Sequence, residues 1–439
     1  MDRRRALKWI GTAAAIGAAE PEIGVLGRIL HAQTATDWSA RLAALPKPAA
    51  DEIVIAAVGD MMISDPVSNR ALPAAQALYQ VIRDADVAFA NCEGAIASQG
   101  TLKGGFPQTA RPEILDDFKT SGFDMLSVAN NHAFDLGEVG LLQEIEESKK
   151  RGFTIAGGGR NLGEATTAGI MTVKGQRVGL LAFLCAAEDY QRPDVMAEFR
   201  AQAGKSGVGL ITGTRVSVPG SAIPLLLPQA SDMRTMTEAV RRARSEVDVL
   251  MISFHQHWNL DQPPAAGRGG RGQAPPAHTI VPAELGSANN QVAEGRKIIC
   301  RSAIDAGADL VVGHGPHVLN GVEMYKGKPI LYSLGHFYMQ ILRDGKALPA
   351  LQLSPSLVRL AEDGWYLEEH RWSAVARVFV RRGAVTRVQI LPAFMDVQKD
   401  GYPTLPADAD GQKINAALSE LSRPFDTRVR TAGWYCDLL

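Results

Sequence analysis

Five short apolar runs recur along the chain, and each ends in a group of polar residues. They span residues 53–58, 87–90, 125–129, 247–254 and 310–312. Runs of this length bounded by polar residues are typical of buried strands. Between the runs, three segments alternate polar and apolar positions at helical spacing: 138–151, 233–245 and 292–306. Alternating strands and helices predict an α/β sheet, with functional groups gathered where the strands end.

The later part of the chain changes in pattern. Residues 374–380 and 385–391 flank an Arg-Arg-Gly-Ala turn and predict a hairpin, and 407–421 predicts a helix. We expect a main domain at 51–400 and a C-terminal extension, 401–439, that packs on it. Residues 259–290 are rich in glycine and proline and predict a flexible insertion, since the Lys-Ser/Thr pair of a phosphate-binding P-loop is missing.

Residues 1–35 predict an export signal that resembles the twin-arginine type. Arginines at positions 3–5 precede a weakly hydrophobic Ala/Gly-rich stretch at 11–19. A cleavage site is expected near 32–35, and a basic, frayed N-terminus is the alternative interpretation. The signal predicts a periplasmic or extracellular protein, and a signal of the twin-arginine type would carry it in its folded state.

Composition narrows the function classes. The 439 residues are 46% hydrophobic, which suits one large domain or two moderate ones. The formal net charge of −1 provides no basic excess for nucleic acid, so no nucleic-acid partner is expected. None of the four cysteines forms a Cys-x-x-Cys pair, which argues against a thiolate zinc site.

The residues at the strand ends are of metal-ligating types. They are Asp60, Asn91, Glu93, Asn130, Asn131, His132, His255, His257, His314 and His317. Carboxylates, imidazoles and amide oxygens together suit one or two divalent ions such as Mn, Fe, Zn or Mg. Either Asp60 or Glu93 can bridge two ions, because a carboxylate has two oxygens. Taken singly, each residue also has a structural interpretation, such as a turn, a cap or a packed core residue.

These segments resemble the CapA family of poly-γ-glutamate capsule proteins, within the calcineurin-like metallophosphoesterase superfamily. The resemblance covers roughly residues 51–340 and is carried by 59–62, 91–94, 129–137, 157–162, 257–258, 313–318 and 332–335. Its specific elements are Asn-Asn-His-x-x-Asp-x-Gly at 130–137 and Gly-His-x-Pro-His at 313–317.

The resemblance implies a four-layer α/β/β/α sandwich with a metal centre at the strand ends. It implies these metal ligands: Asp60, Glu93, Asn131, His257, His314 and His317. His132 would act as general acid or charge stabiliser, and Asp135 would orient it by a hydrogen bond. Four further residues are expected beside the site rather than on the metal: Asn91, Asn130, His255 and His336.

The chain departs from the resembled patterns in four motifs, and in the second of these Asn91 and Glu93 replace the Gly-Asp of the wider superfamily. Met62 stands where the wider superfamily has histidine in its Asp-x-His motif, Asn259 stands where glycine usually follows His-Trp, and His336 stands where asparagine usually follows Ser-Leu-Gly. Methionine is a poor ligand for a hard cation.

Three functions remain open at this point. The first is a metal-dependent hydrolase of a phosphoester or a γ-glutamyl amide. The second is a non-catalytic capsule or envelope factor that binds an anionic polymer, with Arg268 and Arg271 of the insertion as a candidate contact, or joins an envelope synthase complex. The third is a nucleotide or small-molecule binder built on the glycine-rich loop.

Overall fold

The computed structural model describes residues 38–66, 73–103, 107–187, 197–217, 225–256, 292–340, 342–343, 346–347, 368–395 and 401–438. Three sequence predictions lie outside the described residues: the export signal at 1–35, the insertion at 259–290 and the ligand His257.

The secondary structure alternates between strands and helices along most of the described chain. The strands are β1 (Ile53–Met62), β2 (Val87–Cys92), β3 (Ala95–Ile96), β4 (Thr109–Ala110), β5 (Met125–Ser127), β6 (Thr154–Ala156), β7 (Gly158–Gly159), β8 (Gly169–Val173), β9 (Gln176–Ala187), β10 (Gly207–Val208), β11 (Leu210–Val216), β12 (Leu225–Pro228), β13 (Val249–Gln256), β14 (Leu310–His314), β15 (Val322–Tyr325), β16 (Lys328–Leu331), β17 (His336–Met339), β18 (Leu342–Arg343), β19 (Lys346–Ala347), β20 (Trp372–Arg381), β21 (Ala384–Met395), β22 (Pro403–Thr404), β23 (Val429–Ala432) and β24 (Tyr435–Leu438). The α-helices are α1 (Pro73–Asp84), α2 (Ile114–Ser121), α3 (Gly137–Lys150), α4 (Leu162–Ala165), α5 (Ala230–Arg244), α6 (Glu294–Ala306) and α7 (Asp408–Ser422), with 3-10 turns at Glu368–Arg371 and Arg423–Phe425.

A ten-stranded sheet holds the first half of the site. Its order is β23-β24-β21-β20-β1-β2-β5-β6, with β17 also paired to β1 and β22 to β21. β1 runs parallel to β2. On its other side, the first half of β1 pairs antiparallel with β20, and its last residues pair parallel with β17. The strands that follow residue 400 therefore complete the same sheet that begins with β1.

An eight-stranded sheet holds the other half of the site. Its order is β12-β11-β9-β13-β14-β16-β15, with β8 paired to β9. β13 runs parallel to both β9 and β14, and the register sets His255 opposite His314. Parallel neighbours end at the same edge of a sheet, so the two histidines share that edge.

Three apolar clusters hold these elements together. One contains Ile53 and Ile55 of β1 together with Leu180 of β9 and Met251 of β13, and so joins faces of both sheets. A second packs the alternate residues of β1 against α1 and α2. A third packs β9 and β13 against α5 and α6. β1, β9 and β13 thus bury their two faces against different partners, because successive side chains of a strand point to opposite faces.

The predicted α/β fold is confirmed. The predicted helices at 138–151, 233–245 and 292–306 correspond to α3, α5 and α6, and the predicted hairpin corresponds to β20 and β21. All four cysteines are buried and free. None of the helices in the described part of the chain combines the length and the hydropathy that crossing a bilayer requires.

Candidate metal centre

Asp60 stands at the carboxyl end of β1, where the strand departs from regular pairing. The register shifts between Ala57 and Asp60 against β2, and again after Asp60 against β17. A Cβ on Gly59 would lie 1.8 Å from the carbonyl oxygen of Gly335, so only glycine permits this approach. The Asp60 N–H donates to that same oxygen at 3.0 Å. The irregular strand end directs a fully buried carboxylate into the space between the two sheets.

Three imidazoles and a backbone N–H surround the Asp60 carboxylate. Oδ1 lies 3.6 Å from His255 Nδ1 and 3.4 Å from His314 Nδ1, while Oδ2 lies 3.2 Å from His317 Nδ1. The N–H of Gly315 donates to Oδ2 at 3.1 Å. Burial alone would raise the pKa of Asp60, but the three histidines hold it well below its usual range. Asp60 is therefore ionised, as a metal ligand must be.

Glu93, just after β2, has the opposite electrostatic balance. Oε1 lies 3.7 Å from His255 Nε2 and 3.5 Å from His317 Nε2. Neither carboxylate oxygen accepts a hydrogen bond from the described residues, although the side chain is fully buried. Burial and the nearby charge of Asp60 raise the pKa of Glu93 well above its usual range. A buried carboxylate without donors is costly, and a bound cation is what would relieve that cost.

Asn91 links the two halves of the centre. Its Nδ2 donates to Asp60 Oδ1 at 2.9 Å and lies 3.0 Å from Nδ1 of His255. Burial lowers the pKa of His255 to about 4, which keeps its imidazole neutral near pH 7. Neutral imidazole is the ligating form. The sequence placed His255 beside the ligands, whereas the structure places it directly between Asp60 and Glu93.

His132 stands at the rim of the cluster and is held by Asp135. His132 Nδ1 lies 2.7 Å from Asp135 Oδ2, and the backbone N–H of Gln108 donates to that same oxygen at 2.6 Å. His132 Nε2 lies 4.0 Å from Glu93 Oε1, and 13% of the side chain is exposed. Asp135 thus fixes the ring so that Nε2 faces the carboxylates from the solvent side.

The two asparagines before His132 shape the loop that carries it. Asn130 donates from Nδ2 to the carbonyl oxygen of Cys92 at 2.7 Å and accepts from the His132 N–H at 3.0 Å. It thereby fastens the loop to the end of β2. Asn131 is 9% exposed and lies next to this anchor in the chain.

His317 and His336 form a stacked pair on the other side of Asp60. Their ring centroids are 4.2 Å apart and their planes differ by 7°. His317 takes a φ of 61°, a left-handed conformation that few non-glycine residues adopt. His336 is fully buried, and neither of its ring nitrogens has a hydrogen-bond partner among the described residues.

The donor set fits a divalent metal. Asp60, Glu93 and His255 offer ligand atoms within 4.8 Å of one another, as do Asp60, His317 and His336. Both nitrogens of the buried His314, like both oxygens of Glu93, have no hydrogen-bond partner among the described residues. Native proteins rarely leave several adjacent buried polar atoms unsatisfied. His314 Nδ1 lies 3.4 Å from Asp60 Oδ1 and Glu93 Oε1 lies 3.7 Å from His255 Nε2, so these atoms border the ligand groups, and a bound cation would satisfy them.

Arg296 of α6 is a supporting residue that sequence reasoning missed. It is fully buried; its Nε donates to Gln256 Oε1 at 2.9 Å, Nη1 to Asn320 Oδ1 at 2.7 Å and Nη2 to the Tyr332 carbonyl at 2.5 Å. Gln256 follows His255, and the other two partners belong to the segments that carry His317 and His336. One guanidinium therefore ties together three histidine-bearing segments.

The signal for Arg296 was present in the sequence. In the predicted helix at 292–306, Arg296 falls on the same face as Ile299, Cys300 and Ala303. A lone arginine on an apolar helix face indicates a buried polar network, because its charge must find acceptors there.

The structure is an α/β scaffold whose strand ends carry buried carboxylates and imidazoles that could hold a metal ion. The sequence matches the bacterial capsule synthesis proteins, PGA_cap, over residues 54–268 and 273–341. The chain belongs to this family, which lies in the metallophosphoesterase-like superfamily. The CapA resemblance read from the motifs is confirmed.

Individual relatives give the range of similarity. The uncharacterized protein y4sH of Sinorhizobium fredii is 30% identical over 420 residues, covering 86% of this chain and 91% of the relative. The PGA biosynthesis protein CapA of Bacillus subtilis is 25% identical over 387 residues, covering 86% of this chain and 80% of the relative. A hypothetical protein from Thermus thermophilus matches in structure with a TM-score of 0.39 and 11% identity, covering 77% of this chain and 98% of that one, which is too weak a likeness to carry a conclusion.

Proposed function

We propose that this protein is a metal-dependent hydrolase of capsule or cell-envelope metabolism, acting on a phosphoester or on a γ-glutamyl polymer. The observation that carries the proposal is the cluster at the strand ends. Asp60, Glu93 and His255 offer ligand atoms within 4.8 Å of one another, and the buried polar atoms of Glu93 and His314 have no hydrogen-bond partner among the described residues. A purely structural cluster would pair these atoms with donors and acceptors from the protein itself.

Metal binding would supply a polarised substrate oxygen and a water of lowered pKa. Asp60, Glu93 and the buried histidines would hold one or two ions, with Asp60 in both ligand groups. Asn131 and His257 remain proposed ligands from the family resemblance.

His132 is the residue suited to handle a proton. Its Nδ1 faces Asp135 at 2.7 Å, so Nε2 is the nitrogen left for substrate. Its side chain is 13% exposed, whereas those of His255 and His314 are fully buried. As water oxygen forms a bond to the phosphorus or the γ-carbonyl carbon and the bond to the leaving oxygen or nitrogen breaks, protonated His132 would donate its proton to the leaving atom. The attacking water would give up its own proton to solvent, and His132 would be reprotonated from solvent. The same ring would stabilise negative charge on the substrate before that transfer.

The packing supports a four-layer α/β/β/α arrangement for this catalytic scaffold. One apolar cluster joins faces of both sheets, and the other two pack helices against their remaining faces.

We also propose export to the periplasm or cell exterior, on the basis of the arginines at 3–5 and the apolar stretch at 11–19.

The test compares wild type with His132→Gln, after loading each with Mn²⁺, Fe²⁺ or Zn²⁺. We expect the wild type to hydrolyse a nitrophenyl phosphodiester or poly-γ-glutamate. The variant should keep its metal and lose activity by about 10²–10⁴-fold, the usual contribution of a general acid. Lys119→Gln, a substitution on α2 away from the cluster, is the control. A metal-loaded wild type that cleaves neither substrate contradicts the proposal.

The names of the relatives favour a second candidate, a non-catalytic factor in polymer synthesis. One relative is a PGA biosynthesis protein, and another, from Mycobacterium tuberculosis, is a probable polyglutamine synthesis accessory protein. In this alternative the protein would bind an anionic polymer or a membrane synthase, and Asp60→Ala would leave polymer binding unchanged. Loss of binding on deletion of 259–290 would locate the contact in the insertion, and unchanged binding would exclude it.

A further inference from the structure

We propose that His336 is a nitrogen ligand in this chain, and that it makes the Asp60–His317 side of the centre selective for a borderline transition-metal ion such as Zn²⁺, Co²⁺ or Fe²⁺ over Mg²⁺. The inference rests on the proposed metal centre and assigns it a ligand that the motif resemblance did not.

The fold delivers His336 directly to the carboxylate. β17 pairs parallel with β1 so that His336 stands opposite Asp60 in the register. The side chain is fully buried, and both ring nitrogens are without hydrogen-bond partners in the described part of the chain. A histidine that served only as packing would ordinarily donate its ring N–H to a carbonyl or carboxylate.

The distances permit shared ligation. One ligand atom from each of Asp60, His317 and His336 lies within 4.8 Å of the other two. Metal–nitrogen bonds of about 2.0–2.1 Å bring two ligating nitrogens within roughly 4 Å. In the stacked pair the ring lone pairs lie in two nearly parallel planes, because the ring planes differ by only 7° and the centroids are 4.2 Å apart. Capture of one ion by both rings therefore requires one ring to rotate about its Cβ–Cγ bond and the stack to open.

The two ligand groups differ in chemistry. Asp60, Glu93 and His255 offer two carboxylates and one imidazole, whereas Asp60, His317 and His336 offer one carboxylate and two imidazoles. Imidazole favours Zn, Cu, Fe and Ni, while Mg²⁺ prefers oxygen ligands. The nitrogen-rich group is therefore the more selective of the two.

The experiment separates ligation from stacking. His336→Phe keeps an aromatic ring against His317 but removes both nitrogens, and His370→Phe is the matched control because His370 is a nearby histidine outside both ligand groups. Full-length metal-free protein is titrated with Co²⁺ alone, and bound cobalt is followed by elemental analysis and by its visible absorption bands. Parallel titrations with Zn²⁺ and Mg²⁺ measure the selectivity.

We expect two cobalt ions per chain in wild type and in His370→Phe, and one in His336→Phe with loss of one set of absorption bands. His336→Asn, which is smaller and fits the same space, serves if the phenylalanine variant does not fold. It should weaken binding of the second ion by at least the roughly 10–100-fold that losing a residue which only orients a ligand costs. Unchanged cobalt content and spectra in His336→Phe would overturn the assignment while leaving the proposed function intact. A wild type that binds no metal would instead overturn the proposed function itself.

Discussion

The two ends of the central strands differ in how their charged side chains are exposed to solvent. At the amino ends, a groove with a volume of about 630 Å³ is lined by charged residues that include Lys174, Arg244 and Asp248. The pair at its mouth lies near solvent: Arg177 contacts Asp248 at 3.5 Å, and 43% of the Asp248 side chain is exposed. At the carboxyl ends, Asp60 and Glu93 are fully buried and close together.

This difference shows that the volume of a groove does not identify the functional end of the molecule. Charges that are exposed and paired one to one are already satisfied, and each such pair contributes about 0–1 kcal/mol. Buried carboxylates that lack donors impose a cost that folding alone does not recover. In the carboxyl-end cluster this unfavourable free energy remains in the metal-free protein, as is expected of a site that binds a cation.

The largest effect is expected from Glu93→Gln. Removing the carboxylate should abolish tight metal binding and any metal-dependent activity, yet stabilise the metal-free protein, because a buried acid beside Asp60 is lost. Melting curves without Zn²⁺ measure the change in stability of the metal-free protein, and melting curves with Zn²⁺ measure the loss of metal binding. At 100 times its dissociation constant the metal should stabilise wild type by about 2.7 kcal/mol and leave the variant unmoved. A metal-free variant less stable than wild type would contradict the electrostatic account.

Arg296→Met should have the next largest effect. It removes the donor to three buried acceptors, and we expect a loss of about 2–5 kcal/mol in the free energy of unfolding. Metal affinity, measured well below the melting temperature, should fall about 10–100-fold because the histidine-bearing segments lose their common anchor.

Two lysine variants sharpen this test. Arg296→Lys keeps the charge but not the three-way donor geometry, so it should recover little of the affinity. Arg301→Lys on the same helix alters a partly exposed pair with Glu323 and is the matched control. Equal metal affinities in all three variants would show that Arg296 serves the fold alone.

Glu144 of α3 predicts a pH effect. It is fully buried and accepts from the Ile96 N–H at 3.3 Å. Burial raises its pKa to about 8. The folded state therefore holds this proton more tightly than the unfolded state, and the free energy of unfolding of metal-free protein should fall between about pH 4.5 and pH 8, by about 1.4 kcal/mol per pH unit at most.

Glu144→Gln should flatten this slope, as measured by urea unfolding at pH 5 and pH 8. Glu147→Gln on the same helix is the control, since hydrogen bonds from Arg151 and Lys150 lower the pKa of Glu147. An unchanged slope in Glu144→Gln would assign the pH dependence to other groups.

The smallest effect is expected at the amino-end groove. Asp248→Asn removes an exposed charge but can keep the hydrogen bond that the Arg177 N–H donates at 2.7 Å. Stability should change by no more than about 0.5 kcal/mol and metal content should not change. Loss of metal in this variant would contradict the claim that metal binding depends on the carboxyl-end cluster and not on the amino-end groove.

Local sequence patterns predicted much of the scaffold. The apolar runs before Asp60, Glu93 and His314 are buried strands because uninterrupted apolar segments of that length fit between two packed faces. Helices α3, α5 and α6 followed from their spacing. The strand β9, at the centre of the second sheet, was not predicted, because Gln176 and Arg177 interrupt the start of its apolar pattern.

The internal geometry of the site depended on long-range contacts that local patterns do not encode. His255 and His336 were expected beside the ligands, but the registers of β13 with β14 and of β17 with β1 place both rings next to Asp60. The joining of three segments by Arg296 likewise depends on how α6 packs against the second sheet.

Metal content of the folded, full-length protein is the most direct test of the central claim. Elemental mass spectrometry would be applied to wild type and His314→Ala after exposure to Mn²⁺, Fe²⁺ or Zn²⁺ and removal of excess ion. His314 is buried, its Nδ1 lies 3.4 Å from Asp60 Oδ1, and neither ring nitrogen makes a hydrogen bond to a described residue. The account predicts one or two ions per chain in wild type and a clear loss in the variant. Wild-type protein without stoichiometric metal would contradict it.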